Sequence, residues 1–80
     1  MILYRLTEYY CGCWHDIKDG DGDPFDFENE REAIKLLQQV NYRTDYGNKM
    51  NYREVSEREQ EEERNRYISY QVNMIFYEGD

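Results

Sequence analysis

Between Tyr67 and Tyr77, Ile68, Tyr70, Val72, Met74 and Phe76 occupy every second position, with Ser69, Gln71 and Asn73 between them. A period of two sends the two sets to opposite faces of a strand, so the pattern calls for a sheet with one packed face. The chain's 80 residues limit what can cover that face. A chain of this length buries about 60–65% of its unfolded surface, enough for one domain (residues 1–80) whose core is a single layer of side chains deep.

Other strands are predicted around it. Over Met1–Cys11, the side chains of Ile2, Tyr4, Leu6 and Tyr10 share a face with Glu8 as the exception, and Arg5 and Thr7 lie on the other. A bend at Gly12 leads to a second extended stretch ending at Lys18, which turns Trp14 toward the core. A third runs from Met50 to about Ser56. Asp19–Pro24, with three Asp, two Gly and one Pro, is a loop. One helix is signalled clearly. Asn29 caps it, Glu32 completes an approximate capping box and Glu30 lies near its positive end. Ala33, Ile34, Leu37, Val40 and Asn41 follow at helical spacing, Leu36 widens the stripe, and the pattern ends at Tyr42. A turn at Asp45–Asn48 follows. Residues 57–66 are polar all round. Ser56 and Glu59 form a capping signal and Glu62 and Arg66 an i,i+4 pair, but a short helix without an apolar stripe is marginal, so the segment reads as a hairpin tip, with a helix as the alternative. The expected fold class is α+β: an antiparallel sheet of three or four strands with one main helix on one face and Tyr67–Tyr77 at its centre.

Thirteen aromatics (nine Tyr, three Phe and one Trp) argue against disorder despite 35% charged residues. The formal charge of −8 argues against direct nucleic-acid binding, which needs positive charge to meet phosphate. No apolar run approaches the roughly 20 residues that a spanning helix needs, and no signal peptide is expected. Two cysteines, Cys11 and Cys13, make no disulfide framework. In an extended strand their Cα atoms would lie about 6.6 Å apart, at the limit for a bridge, so free thiols and a cytoplasmic setting are expected.

The charge is clustered. Glu8–Glu32 holds nine acids against Lys18 and Arg31, residues 33–56 are net positive by two, and residues 57–66 are net negative by two. Clustering of this kind costs stability by self-repulsion but favours fast encounter with a basic partner. An acidic loop is also simply well solvated. Nine Tyr, however, are more than so small a core can bury, and Tyr9, Tyr42, Tyr46, Tyr67 and Tyr77 fall on outward faces or in loops. Carboxylates that pair with arginine and lysine, beside large aromatic contacts, suit a recognition surface. Its expected charge donors are Asp19, Asp21, Asp23, Asp26 and Glu28, with Glu61, Glu62 and Glu63 as a second patch and Tyr9, Tyr42 and Tyr46 as aromatic contacts.

In its acidic stretches, Asp16-Ile17-Lys18-Asp19-Gly20-Asp21-Gly22-Asp23 and Glu57-Arg58-Glu59-Gln60-Glu61-Glu62-Glu63, and in its size, the chain resembles the small phage-encoded inhibitors, anti-CRISPR and other DNA-mimic proteins among them. The resemblance is compositional and transfers no residue role. It implies a viral protein in the host cytoplasm, without enzymatic activity or cofactor, that occludes the basic nucleic-acid-binding surface of a partner such as a CRISPR effector.

Other readings compete. A structural or assembly subunit could self-associate through a sheet edge. Asp19, Asp21, Asp23 and Glu30 reproduce the acidic positions of an EF-hand calcium loop, but Pro24 stands where glycine makes the sharp turn, Asp26 replaces an apolar anchor and a strand precedes the loop. Cys11, Cys13 and His15 would share one strand face and suit zinc, yet no further Cys or His supplies a fourth ligand and Asp16 points away. No metal site is therefore assigned. His15 is the only histidine, Ser56 and Ser69 lie far from it, nothing would build an oxyanion site beside Cys13, and no phosphate loop occurs, so no enzyme is expected.

Overall fold

The computed structural model describes residues 1–66. The predicted strand Tyr67–Tyr77, with its outward-facing Tyr67 and Tyr77, lies outside the described residues. Within them the elements run β1 (Leu3–Tyr10), β2 (Cys13–Asp16), β3 (Asp26–Phe27), α1 (Glu30–Gln39), β4 (Met50–Val55) and a second helix, α2, over residues 57–66. The four strands form one antiparallel sheet with α1 packed on it, so the fold is α+β. Every other strand pairs with β1, which has β2 and β3 in succession along one edge and β4 along the other.

Alternation along β1 decides what each face does. Leu6 points toward α1 and forms the core with Ala33 and Leu37, around which Tyr4, Ile17, Phe27, Leu36, Met50 and Tyr52 pack. Asn29 caps α1 as expected, accepting from the Arg31 amide at 2.8 Å. The helix ends two residues before its sequence stripe does. Val40 is the C-cap, the Asn41 amide donates to the Gln38 carbonyl, and the Tyr42 amide reaches the Leu37 carbonyl. Those two bonds define a Schellman motif, with Asn41 taking the left-handed position that glycine usually fills.

Two expectations are overturned. The face of β1 that carries Arg5 and Thr7 is not solvated: both residues are 5% exposed. Residues 57–66 are no hairpin tip but a helix laid over that face. What the sequence lacks is an apolar stripe; α2 is instead docked through carboxylates, Glu63 to Arg5 and Glu59 to Arg53. Gln60 adds bonds from its amide to the carbonyls of Met1 and Val55, and Glu57 pairs with the amino terminus. Ser56 caps the helix by accepting from the Glu59 amide.

Trp14 is also misplaced by the sequence reading. It alternates away from Cys13 and His15 as expected, but the face it joins, opposite Tyr9, carries no core at that end, and the indole is 48% exposed. Tyr9 packs edge-on against it, with centroids 5.4 Å apart.

Candidate functional site

The face under α2 is a row of paired charges. On the sheet Arg5 stands directly opposite Asp26 of β3 on one side and Arg53 of β4 on the other. Two cations directly across a ladder repel, and four carboxylates offset this. Asp26 takes Arg5 through two bonds (Nε to Oδ1 2.7 Å, Nη2 to Oδ2 3.0 Å), and Glu63 takes the same guanidinium from above at 3.0 and 3.1 Å. Asp16 and Glu59 grip Arg53 in the same two-pronged way, at 2.9 and 2.9 Å and at 3.0 and 2.7 Å. Bidentate pairing of this kind matches the planar fork of arginine and is out of reach for lysine. The hydrogen bonds from Arg53 hold the carboxyls of Asp16 and Glu59 below the ordinary carboxylate range. Both guanidiniums are pushed further into their charged form, Arg5 chiefly by Asp26 and Arg53 chiefly by Asp16.

Beside this network the acidic loop and α2 enclose a groove of about 370 Å³. Asp23 and Pro24 wall it on the loop side, Glu59, Glu62, Glu63 and Arg66 on the helix side, with Arg5, Asp16 and Lys18 at its base. The loop is a compact turn. The Gly22 amide donates to the Asp19 carbonyl, the Asp19 amide to the Asp23 carbonyl, and Asp19 Oδ1 accepts from the amides of Asp21 and Asp23. Gly22 supplies the positive φ, 85°, that this closure needs.

The predicted site residues divide into groups. Asp19, Asp21 and Asp23 are exposed, with a carboxylate oxygen from each lying within 4.8 Å of the others. Glu28, Glu61 and Glu62 are exposed as well; Glu62 pairs with Arg58 at 3.3 Å. Asp26 and Glu63 differ from the rest: both carboxylates pair with Arg5, which ties them to the scaffold. Tyr9, Tyr42 and Tyr46 are exposed, Tyr46 almost completely, but none lines the acidic groove. Tyr42 lines a separate depression with Trp14.

Glu30, required to close an EF-hand, instead accepts from the Tyr52 hydroxyl at 2.5 Å, which pushes that phenol up, and it does not join the aspartate group. Cys11 is not on the strand face with Cys13 and His15, because it occupies the turn into β2. Cys13 Sγ and His15 Nε2 are 3.1 Å apart, and both thiols are free and exposed.

Arg5, Asp16, Arg53 and Glu59 were not singled out from the sequence. Their signal was available in the equal parity of Arg5 and Thr7 on β1 and in the i,i+4 spacing of Glu59 and Glu63. No helix among the described residues is long and apolar enough to cross a membrane. Neither a known protein family, nor a curated protein, nor a solved structure matches the chain.

Proposed function

We propose that the protein is a non-enzymatic acidic binding protein that docks this groove on a basic surface of a nucleic-acid-binding partner and blocks it. The observation that carries the reading is convergence. The acidic loop at residues 19–23 and the acidic helix at residues 57–66, separate in the sequence, wall one groove. Each is fixed, the loop by its internal bonds and the helix by the two arginine forks, so the backbone that carries their carboxylates is in place before a partner arrives. Asp23 and Glu62 bring their charge to the groove itself, and the exposed carboxylates of Asp19, Asp21, Glu28 and Glu61 add to the charge outside its lining. Asp26 steadies this surface by holding Arg5 within the sheet, and Glu63 by tying α2 to the same guanidinium. In an anti-CRISPR-like role the partner would be a CRISPR effector, and DNA or RNA would compete for the same cleft.

The test is capture from a lysate followed by displacement. Proteins retained by the immobilised chain should be released by duplex DNA or RNA and should themselves bind nucleic acid. Replacing Asp19, Asp21 and Asp23 by Asn and Glu61 and Glu62 by Gln should leave folding intact, since the amide side chain in Asp19→Asn keeps the acceptor oxygen of the loop, while abolishing capture and its salt dependence. Equal capture by this variant, or captured proteins indifferent to nucleic acid, would refute the reading.

A further inference from the structure

Arg43 and Lys49 face each other as directly opposed residues in an antiparallel bridge. This is the second cross-strand pair of cations in the fold. The first, Arg5 and Arg53, is neutralised by four carboxylates. Around the second, no carboxylate among the described residues forms an ion pair with either side chain, and Arg43 donates only to the Gly47 carbonyl, at 3.1 Å. In a chain with 18 acidic residues against 10 basic ones, a pair of like charges left unneutralised by the described residues marks a place for an anion.

The surroundings specify what else that anion carries. Arg43 and Lys49 line a depression of about 390 Å³ together with Trp14, Tyr42, Asn41 and Asn51. The indole of Trp14 is held by the edge of Tyr9 with nearly half its surface exposed. Tyr42 is presented from a left-handed backbone, φ 55°, which a bulky side chain rarely adopts. Two hydrogen bonds at 2.8 Å maintain it, from the Tyr42 amide to Leu37 and from the Met50 amide to the Tyr42 carbonyl. Strain of this kind concentrates where a side chain must be aimed. Asn51 accepts from the Tyr52 amide through Oδ1, which leaves its amide hydrogens for a ligand. Aromatic faces for a planar ring, a cation pair for a phosphate and amide donors for a ring edge are the three parts of a nucleotide site.

We infer that the Trp14–Tyr42–Arg43–Lys49 depression binds a nucleobase bearing a phosphate, either as a free mononucleotide or as the exposed unit of a single strand. The overall charge of −8 limits a strand to few phosphates beyond this unit, because a longer one would run into the acidic remainder of the surface. The site is separate from the acidic groove, with no lining residue in common.

Trp14 is the chain's only tryptophan, so its emission reports occupancy directly. Titrating the full chain with adenosine 5′-monophosphate should quench it saturably, with adenosine and inorganic phosphate each binding at least about tenfold more weakly. A short single-stranded oligoadenylate that binds more tightly than the mononucleotide identifies a strand as the source, and equal or weaker binding identifies the free nucleotide. Arg43→Ala/Lys49→Ala should weaken mononucleotide binding by about tenfold or more without lowering the thermal midpoint, since the exchange removes repulsion. Tyr42→Gly separates the site from the scaffold: relief of the left-handed strain should raise the midpoint while binding falls about tenfold. Absence of saturable quenching, wild-type affinity in the Arg43/Lys49 variant, or phosphate alone binding as tightly as the mononucleotide would each overturn the inference.

Discussion

Cys11 and Gly12 connect β1 to β2 with φ values of 53° and 82°, and Tyr10 pairs with Cys13 across them. Two consecutive residues at positive φ in a two-residue hairpin loop are the requirement of a type I′ turn, whose preferred pair is Asn-Gly. Gly12 meets that requirement without strain; Cys11 does not, since its Cβ crowds the following carbonyl in the left-handed region. Cys11→Asn is therefore expected to raise unfolding stability by about 0.5–1 kcal/mol, and Cys11→Val to lower it by at least as much, because β-branching worsens the same clash. Urea denaturation of the two variants checks this, and equal stability would mean that the turn relaxes to another type. At the other left-handed pair, Asn41 is the tolerated substitute for glycine at a helix end, whereas Tyr42 is the exception and lies in the depression assigned to a nucleotide.

The two helices are held by different physics, and this decides how each can be recognised and how each will fail. Helix α1 buries Ala33 and Leu37 completely against Leu6, and its cap, its stripe and its extent could be read from periodicity to within two residues. Helix α2 has no such stripe and is attached by Glu59 and Glu63, one turn apart, to Arg53 and Arg5. Glu59→Gln/Glu63→Gln leaves Asp26 and Asp16 to pair the arginines but removes both ionic links between the helix and the sheet, leaving the Gln60 and Glu57 contacts. The amides of residues 57–66 should then exchange much faster while those of β1 stay protected, at a global cost of about 1–3 kcal/mol. Unchanged protection of the helix would show that the arginine forks are not what holds it. The strands β1 and β4 and the acidic loop were equally legible, through alternation and through Gly and Pro. The burial of Arg5 was not, because a charged residue on a strand signals a solvated face until a partner 58 residues later in the chain is brought over it. The same applies to Asp26 and Glu63: composition counts their charge, and only the tertiary arrangement reveals that Arg5 already engages it.

At the scale of the whole molecule, the excess of acids divides into carboxylates that hold the fold and carboxylates that face outward, and pH acts on the first group in a defined direction. Asp16 and Glu59 are held below their ordinary range in the folded state by Arg53. In the unfolded chain they would take up protons near the usual carboxylate values of about 4. Over that interval the unfolded state binds more protons, so stability rises with pH, is complete above roughly pH 5, and is lost as pH falls through the lower folded values. The thermal midpoint should accordingly be flat from about pH 8 to pH 5 and fall below about pH 4, with α2 releasing as the Arg53 forks open. The falling limb begins near the isoelectric point of about 4.6, so light scattering must accompany the measurement to separate unfolding from association. Arg53→Met supplies the control. Without the guanidinium both carboxyls lose the chief cause that lowers them and keep only the weaker pull of Arg5, so the acid limb should become shallower even though the variant starts from a lower midpoint. An acid limb as steep in Arg53→Met as in the wild type would assign the acid sensitivity to carboxylates outside this pair.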